Sequence, residues 1–452
     1  MTESARHTSA DIRRFSSSEL SAIFSKPSIY AISTLIITGL SSATTLLAPA
    51  LLTASQFASF VLLASFFQLA SRLDFGLSEL ADRYGHNPHN RQETSEHLIH
   101  ARWMIASIIL PLIGLSIYIF SKSNTLLPPL DLTLALTGGL LAMIAVGPVT
   151  VARAKNNIKD FAVLALTLQL GMTLPRLLGL ALGGTTGCYL ALTLWYVIFA
   201  ARTWHDLDFK AYPWRALVSP LQQAFPLFLS ALLWLCIQFL PRWLSAAISS
   251  QDDFSHLAFA FNIVALATGS LTTIGQAFYP RYLILRREGK GAQLPDTLRK
   301  DLFKTIFVAF LALAVILPLI PFGIIHLYPR YTPAIRETLI MVISLMPLIP
   351  VLWFVPLIVA IAAKPLRTMS LLTLPAGFAL ALLIFVLYYF AGREGQAFAI
   401  LVFSFLLFLV FTSLLKEHAL LRSRPAFWLI PLMVVLALSL VGEAQWIMVQ
   451  SQ

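Results

Sequence analysis

Residues 371–390 read LLTLPAGFALALLIFVLYYF, a run of twenty residues without a charged side chain. A helix needs about 20 apolar residues to span the hydrocarbon core of a bilayer. Comparable runs recur along the 452 residues, of which 58% are hydrophobic and 12% are charged, whereas soluble domains carry about 25% charged residues. A membrane β-barrel would instead show short alternating strands. Because helices satisfy their backbone polar groups internally, the sequence predicts an all-α polytopic membrane protein.

Thirteen apolar stretches are long enough to be predicted as spanning segments. They are 28–48, 53–71, 103–120, 131–151, 161–182, 186–201, 222–248, 256–280, 304–326, 337–362, 368–390, 395–415 and 427–447. The last stretch contains Pro431 and Glu443, so both a full span and a tilted, partly interfacial helix fit it. Residues 1–27 are polar and basic and lack the apolar core of a signal peptide. We expect them to form a cytoplasmic tail.

The distribution of the basic residues predicts the orientation. With the N-terminus in the cytoplasm, the tail and inner loops hold 26 of the 32 Lys and Arg residues. The outer loops hold four, namely Lys122, Arg330, Arg336 and Arg393. This bias is the positive-inside rule, and it explains the net charge of +11 without a nucleic-acid partner. The basic loops also suit contact with anionic lipid headgroups.

Loop lengths indicate two parallel halves. Each half has its longest inner loop after its second segment, at 72–102 and 281–303. Both halves start inside, as in transporters whose halves are related by an axis along the membrane normal. We therefore expect two six-helix lobes around a central cavity, plus an additional C-terminal helix. The predicted organisation is a tail (1–27), an N-lobe (28–201), a cytoplasmic linker (202–221), a C-lobe (222–415) and a C-terminal loop and helix (416–452).

Two arginines lie inside apolar segments, each directly after a proline: Leu174-Pro175-Arg176 and Leu240-Pro241-Arg242. Each is about six residues from the outer end of its segment, or roughly 9 Å deep. A buried guanidinium costs several kcal/mol unless it faces a polar cavity, which makes it a functional-site hypothesis. Snorkelling to the interface is the alternative. Since no segment has an Asp or Glu in its interior, the pattern favours an anionic ligand.

Polar residues follow helical spacing on several segments. Gln238, Arg242, Ser245 and Ser249 share one face of segment 7. Such stripes either line a lumen or bond neighbouring helices together. We select as candidate cavity residues Arg176, Arg242, Arg72, Gln68, Gln238, Asn262 and Gln276, with Arg72 placed at the inner end for substrate capture.

No metal, cofactor or catalytic group is expected. The loop 72–102 holds four histidines, His86, His89, His97 and His100. Their i, i+3 spacing is less usual for metal ligands than i, i+4, so a solvated polar loop is the favoured interpretation. Cys188 and Cys236 lie in apolar stretches and suggest packing instead of a disulfide. Without a nucleotide-binding motif, transport would have to use a gradient or substrate supply.

After segment 2 the chain reads Leu73-Asp74-Phe75-Gly76-Leu77, followed by Ala81-Asp82-Arg83-Tyr84. This resembles the "LD-x-G-L … RY" signature of the polysaccharide and O-antigen flippases, a family of the multidrug/oligosaccharidyl-lipid/polysaccharide exporter superfamily. Shorter similarities occur at Gly147 to Ile158, around Arg242, and at Tyr331-Thr332-Pro333-Ala334. The resemblance as a whole extends over roughly residues 28–415.

The resemblance implies a non-enzymatic flippase in the bacterial inner membrane that alternates access between two lobes. Its substrate would be an undecaprenyl-diphosphate-linked oligosaccharide, and an H⁺ or Na⁺ gradient is a candidate energy source. One alternative is a cation-coupled drug or small-molecule exporter of the same superfamily, although segments 1 and 7 lack the carboxylate this usually needs. A membrane glycan-processing enzyme is less favoured because the outer loops are short.

Overall fold

A computed structural model describes residues 39, 42–78, 80, 102, 105–106, 109, 127–154, 158–204, 214–268, 293–349 and 363–417. Most of predicted segment 3, all of segment 13, the N-terminal tail, the four loop histidines and Gln276 lie outside these residues. Within them, every regular element is a helix. The helices are α1 (Ser42–Leu51), α2 (Ala54–Ala70), α3 (Pro129–Ala145), α4 (Gly147–Ala154), α5 (Ile158–Trp204), α6 (Trp214–Ile248), α7 (251–268), α8 (Leu294–Leu327), a 3-10 turn (Pro329–Ala334), α9 (Ile335–Ile343) and α10 (Ala363–Glu417).

These elements match most of the predicted segments within a few residues. Helix α2 starts after Thr53, whose side chain caps the Gln56 amide while Gln56 bonds back to the Thr53 amide. Such a capping box fixes a helix start. The largest difference is α8, which begins ten residues before the predicted segment because the charged stretch from Leu294 continues as helix. Within the described chain, five helical stretches are long and apolar enough to cross a membrane.

Two of the helices are broken hairpins with nearly identical breaks. In α5 the break is at Gly183 (φ −135°, ψ 16°) and Gly184 (φ 58°, ψ −141°). In α10 it is at Ala391 (φ −136°, ψ 16°) and Gly392 (φ 56°, ψ −136°). The second position of each break has positive φ, which glycine adopts without strain. The same geometry at corresponding places in the two halves supports the parallel repeat that the loop lengths predict.

Glycine also permits the arms of the first hairpin to touch. A Cβ on Gly179 would overlap the carbonyl of Gly187, and a Cβ on Gly187 would overlap the carbonyl of Gly179. Further along the hairpin, the Tyr196 hydroxyl donates a hydrogen bond to the Met172 sulfur at 2.8 Å. The two arms of α5 therefore run antiparallel in close contact.

The Leu73-Asp74-Phe75-Gly76-Leu77 stretch forms a tight turn that ends the second segment. Phe75 and Gly76 both have positive φ, 51° and 82°. The Asp74 carboxylate accepts hydrogen bonds from the amides of Gly76 and Ser78, both at 3.1 Å. A Cβ on Gly76 would meet the Ala224 carbonyl oxygen at 2.5 Å. This turn consequently packs directly against the first part of α6.

Helices α2 and α6 form a seam between the halves of the chain. Phe75 contacts Phe228 with ring centroids 5.2 Å apart. About midway, the Trp243 indole donates to the Ser65 hydroxyl at 2.7 Å, and Trp243 stacks on Phe66 at 5.5 Å. The two helices therefore run antiparallel along their shared length.

Within each half, the helices pack mainly on their own hairpin. Helix α3 packs between α2 and α5, and α6 and α9 pack against α10. One end of the bundle brings together the two hairpin breaks, the α1–α2 and α6–α7 connections and the 3-10 turn. We call this the hairpin end, and it consists of residues 46–56, 129–131, 183–186, 249–256, 328–337 and 391–396. The charge distribution predicts that it faces the outside.

Candidate functional site

Arg242 is buried between α6 and α7, with 6% of its surface exposed. Its Nη2 lies 3.5 Å from the Phe261 carbonyl oxygen, and its Cζ lies 5.6 Å and 5.9 Å from the ring centroids of Phe239 and Phe261. The Nε has no hydrogen-bond partner. Within the described part of the chain, no carboxylate pairs with this cation. Aromatic faces and one long carbonyl contact offset only part of the cost of burying it.

Arg176 is half-buried on the first arm of α5. Its Cζ lies 5.2 Å from the ring centroid of Phe60 on α2, and its guanidinium lies beside the thiol of Cys188 on the second arm. The Nε is buried and has no partner. Like Arg242, Arg176 contacts protein side chains from a neighbouring helix or arm. No direct contact joins the two arginines among the described residues, so a shared cavity stays a prediction.

The remaining candidate residues range from buried to exposed. Asn262 is buried and donates a hydrogen bond to the Thr45 carbonyl oxygen at 2.6 Å, joining α7 to α1. Gln238 is half-buried on α6. Gln68 and Arg72 are exposed where α2 ends, and Arg72 has an interaction partner. Gln276 lies outside the described residues.

Two polar stripes make contacts inside the bundle. The Ser245 hydroxyl donates to Gln396 Oε1 at 2.8 Å, which ties α6 to α10. Ser65 accepts from Trp243 at the seam. These two residues therefore bond neighbouring helices together, as the alternative interpretation of the stripes proposes. Asn262 acts in the same way.

Sequence reasoning missed a buried ion pair at the end opposite the hairpins. Arg102 was counted among the loop charges, yet 1% of its surface is exposed. Its Nη2 lies 3.2 Å from Asp74 Oδ2 and also contacts the Ser78 hydroxyl, and its Nη1 donates to the Met143 carbonyl oxygen. The Asp in the "LD-x-G-L" stretch was the available signal. Its role here is to fix the turn after α2.

Two further acids, Asp131 and Glu337, are buried at the hairpin end. Each is the first residue of its predicted segment, so the sequence did not indicate that it would be buried. Asp131 is the third residue of α3 and is 4% exposed; it accepts a hydrogen bond from the Thr186 hydroxyl at 2.6 Å. Glu337 is the third residue of α9 and is 2% exposed; its Oε1 lies 3.3 Å from Arg393 Nε. The spanning region is therefore less uniformly positive than the sequence suggests.

Contacts between the halves close the bundle at the hairpin end. The Tyr328 hydroxyl donates to the Leu46 carbonyl oxygen at 2.7 Å, and Arg330 donates to the Pro49 carbonyl oxygen. Burial raises the pKa of Tyr328, so its phenol stays protonated as the donor. The side chains of Gln251 and Ser55 also bond across the halves. We call these contacts the polar seal.

An aromatic cluster lies beside the polar seal. Phe57 of α2 contacts Tyr331 of the 3-10 turn at a ring-centroid distance of 5.6 Å. Tyr331 stacks on Phe259 of α7 at 4.5 Å, and the His256 ring meets Tyr331 at 6.2 Å, edge to face. Buried aromatic pairs contribute about 0.5–1.5 kcal/mol beyond their area. The cluster therefore reinforces the closure of this end.

Comparison with solved structures identifies the architecture. A multidrug resistance MATE family transporter of the MOP superfamily in an inward-facing conformation has a TM-score of 0.63 and 12% identity, over 89% of this chain and 95% of that chain. The lipid II flippase MurJ in an inward closed conformation has a TM-score of 0.63 and 15% identity, over 94% and 100%. The chain has the fold of MOP-superfamily transporters and flippases.

The likeness to other MOP structures extends over similar lengths. A mutant of the Vibrio cholerae MATE transporter VcmN has a TM-score of 0.59 and 15% identity, over 92% of this chain and 100% of that chain. No protein-family model and no curated protein matches the sequence. The MOP fold confirms the predicted all-α polytopic membrane protein. The proteins with this fold named above are transporters and a flippase, not enzymes.

Proposed function

We propose that this protein is a flippase that moves an undecaprenyl-diphosphate-linked oligosaccharide across the bacterial inner membrane by alternating access. In this proposal the N-terminus is cytoplasmic, as the basic loops predict, and the hairpin end faces outward. The MOP fold is compatible with this, since one protein with it is described as a lipid II flippase. Lipid-linked oligosaccharides carry a diphosphate, and positive charge in the interior of a membrane protein offsets the cost of removing that diphosphate from water.

The observation that carries the proposal is the state of Arg242. It is a buried cation without a carboxylate partner in the described chain, and its Nε has no hydrogen-bond partner. Guanidinium binds phosphate oxygens in a bidentate arrangement. A diphosphate bound to Arg242 would supply the missing counter-charge. Arg176, with its own unpartnered Nε, is the candidate for a second contact in the other half.

Replacing Arg242 by glutamine tests the proposed function. We expect flipping of a fluorescent undecaprenyl-diphosphate oligosaccharide in proteoliposomes to slow by about 10–100-fold, because a hydrogen bond to a charged group contributes about 1.5–3 kcal/mol. The flipping rate of Arg242→Lys should lie between those of the wild type and Arg242→Gln, since lysine keeps the charge but lacks the planar guanidinium that binds two phosphate oxygens. Leaflet exchange is measured by the loss of protection from a membrane-impermeant quencher.

Arg336→Gln is the matched control. The Arg336 side chain is 47% exposed at the hairpin end, where it pairs with Glu394 at 2.6 Å, so its loss should leave the flipping rate unchanged. Thermal unfolding in detergent verifies that each variant is folded. A folded Arg242→Gln protein that flips at the wild-type rate contradicts the proposal.

A multidrug exporter is the second candidate, and the fold supports it equally. The structures with this fold include MATE multidrug transporters. The buried acids Asp131 and Glu337 also weaken the sequence argument against this function, because carboxylates exchange protons or cations against a substrate. Transport of a cationic dye in the same proteoliposomes separates the two functions. A dye exporter should transport dye, and Arg242→Gln should not slow it.

A further inference from the structure

Glu337 has a buried carboxylate, and only one of its two oxygens is bound. Oε1 lies 3.3 Å from Arg393 Nε, whereas Oε2 has no hydrogen-bond partner. An ionised carboxylate loses its hydration on burial, and this loss is large unless both oxygens find new partners. Glu337 Oε2 is therefore a position where a proton can bind with little rearrangement.

Four other buried polar atoms at the hairpin end of the C-lobe also lack partners. In native proteins most such atoms are hydrogen-bonded, and each exception calls for an explanation. The four are Ser249 Oγ, His256 Nδ1, the Tyr331 hydroxyl and Gln396 Nε2. Tyr331 and Gln396 are each 0% exposed. With Glu337 Oε2 they make five such atoms at this end of the C-lobe, and a buried polar atom without a partner is a place where a proton or a ligand can bind.

These groups are connected through Arg393. Gln396 lies one helical turn beyond Arg393 on α10 and accepts a hydrogen bond from Ser245. On the other side, Arg393 Nε lies 3.4 Å from Asp253 Oδ1, and Asp253 precedes His256 by one turn of α7. His256 in turn contacts Tyr331. Arg393 therefore joins Glu337 to Asp253, and Gln396 and His256 each lie one helical turn from one member of this set.

Arg393 joins three turns of the C-lobe at the hairpin end. Through Asp253 it holds the start of α7, through Glu337 it holds the start of α9, and it lies itself at the break of α10. We call this arrangement the Arg393 clasp. The polar seal to the N-lobe begins next to it, because Gln251 is two residues from Asp253 and Arg330 lies in the 3-10 turn that precedes α9. Opening the clasp would free the elements that carry the seal.

The N-lobe has the corresponding acid without a corresponding clasp. Asp131 is also the third residue of its helix and also faces the second arm of its hairpin, but it accepts a hydrogen bond from the neutral Thr186. The α5 and α10 breaks have the same backbone geometry. Of these two equivalent acids, only Glu337 in the C-lobe has an arginine as its partner in the described chain.

The chemistry of the site favours a proton over a metal ion. In the described ranges, no group of three His, Cys, Asp or Glu side chains is arranged to hold a metal. A metal cation at Glu337 would also be repelled by the Arg393 guanidinium a few ångströms away. The charged and titratable groups that face the site from the surrounding elements are Arg393, Glu394, Arg336, Asp252, Asp253, His256, Arg330 and Tyr331.

We propose that Glu337 is a proton-binding site that controls the seal at the hairpin end. When a proton from water binds Oε2, the carboxylate becomes neutral and its ion pair with Arg393 is lost. Arg393 then keeps only Asp253, the start of α9 is released, and the polar seal opens. This inference rests on the proposed function as an alternating-access transporter and adds to it a seal that responds to protons.

The experiment measures the seal directly, without any substrate. Spin labels are attached at Leu47→Cys and Leu327→Cys, two exposed positions next to the seal residues Leu46 and Tyr328, in a protein in which Cys188 and Cys236 are replaced by serine. Continuous-wave EPR reports dipolar broadening only when the two labels are close. We expect broadening at neutral pH that is lost as the pH is lowered. In Glu337→Gln, which resembles the protonated form, broadening should be weak at every pH.

Glu394→Gln is the matched control, because Glu394 is a neighbouring acid whose side chain is 37% exposed and pairs with Arg336. This variant should keep the pH response. A pH response that is the same in Glu337→Gln, or the absence of any response with Glu337 present, overturns the inference. A normal pH response together with absent flipping would instead contradict the proposed function alone. Should Glu337→Gln fail to fold, Arg393→Gln opens the same clasp and should also abolish the response.

Discussion

Gly179→Val is expected to prevent the first hairpin from closing. A Cβ at position 179 would lie 2.7 Å from the Gly187 carbonyl carbon and 2.9 Å from the Ala191 Cβ, as well as overlapping the Gly187 carbonyl oxygen. The nearest obstruction is backbone, which cannot rotate away as a side chain can. The two arms of α5 must separate, at a cost of about 3 kcal/mol. The midpoint of thermal unfolding in detergent, followed by tryptophan fluorescence, should fall clearly.

Gly183→Ala provides the control within the same hairpin. A Cβ there meets nothing within 4 Å, its φ of −135° is open to any residue, and the equivalent position of α10 is already an alanine, Ala391. We expect a change within about 0.5 kcal/mol. Equal stability of Gly179→Val and Gly183→Ala would show that the two arms of α5 are not in close contact at Gly179.

Arg102→Ala should produce the second large loss of stability. It removes one partner of a buried ion pair and leaves the Asp74 carboxylate, 5% exposed, without its cation. Breaking a buried pair on one side costs about 3–5 kcal/mol, because an uncompensated charge remains in a medium of low dielectric. The turn after α2 also loses its anchor on α3, since Arg102 donates to the Met143 carbonyl oxygen.

A double-mutant cycle isolates the ion pair from the loss of packing. Asp74→Ala combined with Arg102→Ala should be less destabilising than the sum of the single changes by at least about 1 kcal/mol. Arg202→Ala is the control at an exposed arginine near the end of α5. Additive losses from Asp74→Ala and Arg102→Ala would show that the two side chains do not stabilise each other.

The hydrophobic pattern predicts most of the helices because membrane helices are specified by length and apolarity. The breaks between segments 5 and 6 and between 11 and 12 were also placed correctly, at 183–184 and 391–392. The exact backbone of those breaks was not predictable, since Gly183 and Ala391 differ in sequence. The start of α8 was missed because its first turns are charged, so hydropathy alone could not detect them.

The candidate site was only partly accessible from the sequence. Arg176 and Arg242 stand out because charge is rare in apolar segments, and the structure places each against aromatic side chains of the protein. Glu337 did not stand out, because it occupies the boundary between an outer loop and a segment. Its burial depends on Arg393, 56 residues later in the chain. Pairings over such separations require the tertiary structure.

The hairpin contacts and the α2–α6 seam differ greatly in sequence separation, and this predicts an order of assembly. Gly179 and Gly187 are eight residues apart, so the first hairpin can form soon after its second arm is synthesised, with little loop-closure entropy to overcome. The bond between Ser65 and Trp243 joins residues 178 apart. The N-lobe must therefore reside in the bilayer with the α2 side of that seam uncovered until α6 is inserted.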